Sequence, residues 1–395
     1  MRPLASRISV MSGEGALSVF ARAKELERAG RSIIHLELGE PDFHPAPPVN
    51  EAAKHALDDG RDRYCAMAGI PPLRKAIAEY LRDTRDIEVS SANVVVAPGC
   101  KIGLFMAMFA LINSGDEVLY PDPGFPAYPS ITRSLGAVSV PFSLSERNQL
   151  QPDPDEIAAK ITPRTVALIT NSPGNPTGTV YTDEVQRRIA ELAVNHDLYV
   201  LSDEVYARIT YGQKYLSMMS YPGMAERTII IDGFSKSFAM TGWRLGYNIA
   251  PLEIAQALEL LVVNSYTCTN EFIQYAAIEA LRDTTGQTPR MVAEFEKRGK
   301  QFSRELNMVP GFRCVPPKGA FYAWVNVSDT GMTAEDVCRI MLEEAGVAAI
   351  PGAAFGEAGR EFVRFSFASS LATLHEAVER IRSIASAWER TAVAK

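Results

Sequence analysis

Four things are scarce or missing in this chain of 395 residues: basic runs, long apolar stretches, closely spaced cysteines and paired histidines. With 40 basic against 47 acidic residues the net charge is −7, and the basic ones form no cluster. Nucleic acid and anionic membrane are therefore excluded as expected partners. Cys65, Cys100, Cys268, Cys314 and Cys338 are odd in number, spread out and free of any C-x-x-C pair. That spacing argues against a disulfide framework or a zinc ribbon, and for a reducing compartment. His35, His44, His55, His196 and His375 include no pair at helical ligand spacing, so each reads as structural or surface. The opening MRPLASRISVMSG lacks the apolar core of a signal peptide, and no later run approaches a membrane span. The expectation is a soluble, cytoplasmic protein with no metal.

What is present is ordinary globular material, 47% apolar and 22% charged, long enough for two or three domains or one large domain with a satellite. A helical period over 16–29 stops at Gly30, and a strand over 33–38 runs into Gly39-Glu40-Pro41-Asp42. Helical stretches at 50–58 and 72–81 bracket Arg63-Tyr64. From residue 93 the pattern turns regular, with buried-strand runs at 94–96, 117–120, 165–170, 198–201, 228–231 and 245–249. Helices such as 102–111 and 184–194 separate many of them. Alternation of this kind predicts an α/β fold, a parallel sheet with helices on both faces. A helical region over 252–306, broken near 283–289, leads to a last segment with strands at 321–327 and 361–367 and helices at 334–344 and 373–386. That segment reads as a smaller α+β domain, joined by the N-terminal segment.

In a parallel sheet, ligands bind beyond the carboxyl ends of the strands. Five such ends carry Gly99-Cys100-Lys101, Pro123-Gly124-Phe125, Asn171 to Gly178, Asp203-Glu204-Val205-Tyr206 and Asp232 to Lys236. Lys236 between Ser235 and Ser237, taken alone, reads equally well as a solvated surface lysine. The set decides otherwise. A lysine near a second cation is a candidate nucleophile for imine chemistry. Asp203 adds an acid and Phe125 an aromatic ring, and a buried carboxylate near a pyridine nitrogen keeps that nitrogen protonated. Arg244 and a helix starting after Gly99 suit a phosphate. These parts match pyridoxal phosphate. No G-x-x-x-x-G-K-[ST] occurs, and Gly174-x-x-x-Gly178 is not a dinucleotide fingerprint.

The motifs LGEPDF (38–43), NSPGNPTG (171–178), SDEVY (202–206), SKSFAMTGWRLGY (235–247) and VRFSFA (363–368), in this order, resemble the class I/II aminotransferases of pyridoxal phosphate fold type I, the aspartate aminotransferase superfamily. The resemblance runs from about residue 12 to residue 386. It implies a large domain (46–290) with a mostly parallel seven-stranded sheet, an N-terminal segment (1–45) and a C-terminal small α+β domain (291–395). The small domain, made of both chain ends, would close over substrate as a lid. Lys236 would be the Schiff-base lysine of ping-pong amino transfer and would move the proton. Asp203 would pair with the ring nitrogen, and Tyr206 and Asn175 with the ring 3-oxygen. Phe125 would stack on the ring. Ser235, Arg244 and the backbone of Gly99, Cys100 and Lys101 would hold the phosphate. Tyr64 matches a tyrosine that reaches the phosphate of a neighbouring subunit, implying a homodimer with shared sites. Arg364 would clamp the substrate α-carboxylate, with Gly39 and Asn175 beside it. Cys100 departs from the Ser or Gly common at its position, which leaves only its backbone for the phosphate.

For substrate, Lys101 matches a lysine that in some relatives pairs with a distal carboxylate, though it also reads as a plain helix-start lysine. The favoured expectation is transfer from aspartate or glutamate to a 2-oxo acid such as 2-oxoglutarate or oxaloacetate. A lyase, decarboxylase or oxidase using the same cofactor stays open, as does a non-catalytic effector-binding domain.

Overall fold

Uninterrupted aliphatic runs such as TIII at 228–231 have no polar face, so they fold only where both faces of a strand are covered. The computed structural model describes residue 2, residues 4–13 and residues 15–393. Positions 1, 3, 14, 394 and 395 of the expected N- and C-terminal segments lie outside the described residues. In chain order the strands are β1 (Ile34–His35), β2 (Val94–Ala97), β3 (Glu117–Asp122), β4 (Val138–Ser143), β5 (Thr165–Asn171), β6 (Tyr199–Asp203), β7 (Thr228–Gly233), β8 (Gly246–Ile249), β9 (Arg313–Cys314), β10 (Tyr322–Asn326), β11 (Val347–Ala348), β12 (Ile350–Pro351) and β13 (Phe362–Ser366).

Seven of them form the large sheet, in the order β2-β8-β7-β6-β5-β3-β4. All pairings are parallel except those of β8, which runs against both β2 and β7. Strand β7, between β8 and β6, shows the period of two directly. Ile230 packs with Leu73 and Ile77 of the helix Pro71–Arg85 and with Ala276 of the helix Glu271–Arg282. Ile229 and Ile231 face the other way, onto Ile254 and Leu258 of the helix Leu252–Ser265. Each such side chain contributes roughly 1.5–3 kcal/mol by leaving water. The strand is fixed by burial on both sides.

A second sheet of four strands, β12-β13-β10-β9, carries its own core. There Phe295 and Phe302 of the helix Gln287–Leu306 meet Phe321, Val325 and Phe365. Strand β1 pairs in parallel with β11, so the N-terminal segment is tied to the C-terminal part of the chain.

Three of the differences from the sequence expectation have a direct physical reason. Strand β4 has no apolar run; it is an edge strand with mixed exposure, and its Pro141 is tolerated there because an edge needs fewer ladder bonds. The strand expected over 33–38 is only two residues long, because the chain leaves the ladder toward Gly39. The helix expected to run on from 252 ends at Ser265; Thr267 turns to φ 68°, and a new helix starts at Glu271.

Candidate active site

The parallel strands bring the ends of β2, β3, β5, β6 and β7 to one edge of the sheet. Because β8 runs the other way, its beginning, with Arg244 just before it, lies at the same edge. A cavity of about 310 Å³ opens there. Eleven of the thirteen sequence-predicted residues line it: Gly39, Cys100, Lys101, Phe125, Asn175 and Asp203 on one count, and Tyr206, Ser235, Lys236, Arg244 and Arg364 besides. Gly99 lies directly behind the cavity wall. Tyr64 does not reach it; that ring is 83% exposed, in a separate groove beside Asp62 and Cys268.

Lys236 follows β7 in a turn, and its Nζ donates to the carbonyl of Gly39. Burial pushes the amine down to about 8; Glu40 opposes the shift, and the cations Arg364 and Arg244 add to it. A substantial neutral fraction at mild alkaline pH is what a nucleophilic amine needs. Asp203 ends β6, where burial pushes its carboxyl up to about 6, against the hydrogen bond it accepts from Tyr128. Tyr128 Oη donates to Asp203 Oδ2 over 2.7 Å, entirely inside the protein. The Asp203 carbonyl accepts from Asn171 Nδ2 at 3.1 Å, and Asn171 Oδ1 accepts from the Asn175 N–H at 2.8 Å. The loop after β5 is thereby pinned to the end of β6.

Opposite the sheet stands Arg364, on β13. Its Nη1 donates to Asn175 Oδ1 at 3.0 Å and its Nη2 to the Glu37 carbonyl at 2.5 Å. Its guanidinium lies 4.5 Å from the ring centroid of Tyr322 and 4.8 Å from that of Phe355. The Tyr206 and Tyr322 hydroxyls share a hydrogen bond of 2.7 Å. Gly39 sits so close that a Cβ would stand 2.2 Å from the Tyr322 hydroxyl, so only glycine fits.

At the other end of the cavity the helix Cys100–Leu111 begins. No side chain caps this start, so the helix presents backbone N–H groups there, an arrangement that suits an anion. Gly99 caps this helix at φ 101°, and a Cβ there would meet Arg244 Nη2 at 2.6 Å. Gly246 keeps the same spot open, since its Cβ would lie 2.6 Å from the Cys100 nitrogen. Burial pushes the Cys100 thiol well up, so it is a neutral wall atom. Phe125 covers one side of the cavity and packs edge-on against Tyr128 at 5.7 Å. Lys101 Nζ stands 5.2 Å from the Phe125 ring centroid, at the solvent side.

Sequence reasoning missed Tyr128 and Tyr322. The signal for Tyr128 was its spacing, three residues after Phe125, which puts both rings at the start of the short helix Ala127–Ser134. Tyr322 offered none, because an aromatic in a buried strand reads as core. A test of Tyr128 follows from the sign of its effect. Its hydrogen bond favours the ionised carboxylate, so Tyr128→Phe raises the Asp203 pKa further, and the loss of stability concentrates above pH 6. We expect a penalty of about 1–3 kcal/mol at pH 8 and a smaller one near pH 5, read by calorimetry. An equal penalty at both pH values would show that the hydroxyl acts by packing alone.

Comparison with known proteins agrees with this geometry. The sequence model of the family "Aminotransferase class I and II" matches residues 31–381. An aspartate aminotransferase of Pyrococcus horikoshii is 38% identical over 96% of this chain and 96% of its own length. An aromatic-amino-acid aminotransferase of Thermococcus litoralis is also 38% identical, over 96% of this chain and 98% of its own. Among solved structures, the aspartate aminotransferase of Thermus thermophilus with maleate superposes at a TM-score of 0.92, with 37% identity, covering 97% of this chain and all of that one. Seven strands in a mostly parallel sheet, a cavity at their carboxyl edge and similarity along nearly the whole length lead to one conclusion: the chain belongs to the class I and II aminotransferases.

Proposed function

We propose that this aminotransferase uses pyridoxal 5'-phosphate to move the amino group of an L-amino acid, aspartate or glutamate first, to a 2-oxo acid such as 2-oxoglutarate. One observation carries the reading: a lysine amine that burial pushes down to about 8, a buried carboxylate and a buried arginine line one cavity. The residues fit the group. The open helix start kept clear by Gly99 and Gly246, together with Arg244 and Ser235, suits a phosphate. Asp203, too buried to be solvated and already given a donor by Tyr128, suits a protonated ring nitrogen. Tyr206 and Asn175 offer hydrogen bonds to a ring oxygen, and Phe125 a stacking face. When bound, the cofactor supplies an electron sink for the pair left as the substrate Cα–H bond breaks.

The chain's own residues would do the rest. Lys236 would hold the group covalently, then as a free amine carry the proton to and from the substrate Cα. Arg364 would grip the α-carboxylate through its planar fork, with Tyr322 and Phe355 excluding water behind it. Asn175 touches Arg364 directly, so the clamp and the ring-oxygen contact would be felt together.

Lys101 supports the preference for an acidic donor. It is an exposed lysine at the cavity rim, with Phe125 bracing its amine. The relatives carry names for both aspartate and aromatic amino acids, so specificity rests on few contacts. The test is a panel of amino donors with 2-oxoglutarate. Lys101→Ala is expected to lower kcat/KM for aspartate and glutamate by about tenfold or more, and to leave neutral donors unchanged. A uniform fall, or none, would remove the acidic-donor reading.

A homodimer with shared sites belongs to the same proposal. Ile102, Phe105 and Phe109 form an exposed apolar row on the helix Cys100–Leu111. Leu260 and Val263 of the neighbouring helix Leu252–Ser265 are exposed beside it. A second copy covering this row would bring its own Tyr64, which stands in solvent here, toward the site. The division into a large domain (46–290) and a small one (291–395) joined by the first 45 residues is supported by the separate sheets and the β1–β11 pairing. Five free cysteines support a cytoplasmic setting.

A further inference from the structure

Beneath the site, on the side away from the cavity, lies a buried cluster of charge that the chemistry above does not use. Arg85 ends the helix Pro71–Arg85 with its side chain 2% exposed. Its Nη1 donates to Glu204 Oε2 at 2.7 Å and its Nη2 to Asp232 Oδ2. Glu204 Oε1 accepts from Ser202 Oγ at 2.9 Å and from Ser217 Oγ at 2.5 Å. Asp232 Oδ1 accepts from the Gly233 N–H at 2.6 Å, and Oδ2 from Tyr247 Oη at 3.0 Å. Two carboxylates share one guanidinium, so the cluster carries one net negative charge when all three are ionised.

Its location gives it meaning. Glu204 is the residue directly after Asp203, and Asp232 lies on β7, four residues before Lys236. The two carboxylates come from adjacent parallel strands, and the Glu204 N–H donates to the Ile231 carbonyl at 2.9 Å. Arg85 thus clips together the two strand ends that deliver the acid and the amine. As a stability device the arrangement is poor, because desolvating three charges costs about as much as their attraction returns. As a source of field it is effective, since buried charge is little screened by salt.

We propose that the Arg85–Glu204–Asp232 cluster positions Asp203 and Lys236, and that Glu204 is the positioning residue that tunes the proton affinity of Asp203. The inference rests on the pyridoxal phosphate reading. The groups facing Asp203 are Tyr128 from the helix Ala127–Ser134, the Val205 N–H, and Glu204 and Asp232. Those facing Glu204 are Arg85, Asp232, Ser202, Ser217 and Tyr215. The Arg85 guanidinium lies 5.8 Å from the ring centroid of Tyr215, with Tyr80 and Tyr247 near enough to act on it electrostatically. Burial is the main cause of the raised proton affinity of Asp203, and Asp232 and then Glu204 add to it, in agreement with one uncompensated negative charge in the cluster.

The test is binding of pyridoxine 5'-phosphate, which lacks the aldehyde and so probes the site without using Lys236. Affinity must fall at acid pH, where Asp203 takes up a proton that competes with the ring nitrogen. Glu204→Gln keeps the shape of the side chain and removes one negative charge. We expect the acid limb of binding to move down on the order of one pH unit. The variant then binds up to about tenfold tighter than the unaltered protein near pH 5 and equally near pH 8. Arg85→Met is expected to lower Tm and to move the limb up, and adding Glu204→Gln to it should return both toward the starting values. Rescue by removing a second group is not expected of a mere brace. An acid limb that stays in place in Glu204→Gln, with Tm also unchanged, overturns the proposal, even if Arg85→Met fails to fold. Failure of the unaltered protein to bind the analogue at any pH overturns the cofactor reading, and this inference with it.

Discussion

Lys236→Ala is expected to reduce amino transfer by at least about 10⁴-fold, because one side chain serves as covalent anchor and as proton carrier. Proton transfer by a placed group accounts for about 10²–10⁴ of this, and loss of the covalent step adds to it. The fold should survive. Burial pushes the Lys236 amine down to about 8 from its ordinary value of 10.5, and its Nζ donates to a backbone carbonyl, that of Gly39. The sign of the linkage is clear. Between about pH 8 and 10.5 the unfolded chain holds the proton and the folded one does not, so stability of the cofactor-free protein rises with pH across that window. Below pH 8 the cost of the buried charge is fully present, and Lys236→Ala removes it. Melting of the variant near pH 7 should therefore be no lower than that of the unaltered protein. Borohydride reduction with peptide mapping supplies the chemical check: the label is expected on Lys236, and active protein labelled elsewhere would sink the assignment.

Much of this site was readable in the sequence because the fold repeats one rule. An aliphatic run ends, and polar or small residues follow at the carboxyl edge. TIII before Asp232, VLS before Asp203 and ALIT before Asn171 all obey it. Arg244 breaks the rule, since it precedes its strand; it reaches the same edge only because β8 is antiparallel. Spacing from Lys236 within a family motif located it, where periodicity alone would not. Strand β4 was invisible because half its residues face solvent and only Phe142 is fully buried, which leaves no apolar run. Tyr322 and Phe355 were hidden for the opposite reason. Their role depends on the pairing of β10 with β13, a contact between segments some 40 residues apart, which sets Trp324 opposite Arg364 and the Tyr322 ring under its guanidinium. Arg85 carries no signal of its own in the sequence, and Glu204 and Asp232 stand there only as neighbours of Asp203 and Lys236 at the strand ends. Only the packing of the helix Pro71–Arg85 under β6 and β7 turns them into one buried group. Local chemistry was legible; chemistry assembled from distant segments was not.

Asp203→Asn should separate what the fold tolerates from what the reaction requires. The substitution keeps the shape, and the amide oxygen still accepts from Tyr128 Oη, which now lies 2.7 Å from Oδ2. What disappears is charge. A neutral amide cannot hold a ring nitrogen in its protonated form, so kcat/KM is expected to fall by about 10²–10³-fold or more, the range for loss of a preorganised electrostatic partner. Stability should move the other way. Burial pushes the Asp203 carboxyl up to about 6 from 3.8, so between those values the folded state holds a proton that the unfolded chain has released. Stability of the cofactor-free protein therefore falls as pH rises from about 4 to 6, and above pH 6 the full cost of the buried carboxylate, roughly 3 kcal/mol, is present. Asparagine escapes that cost. The variant should melt above the unaltered cofactor-free protein near pH 8 and should lose this advantage near pH 4. In the presence of pyridoxal phosphate the order should reverse, because only the carboxylate gains from the cofactor's ring nitrogen. A variant that melts lower at every pH would mean that Asp203 is held for structure. The crossing of the two curves on adding cofactor is the signature of a charge kept in the interior for its chemistry.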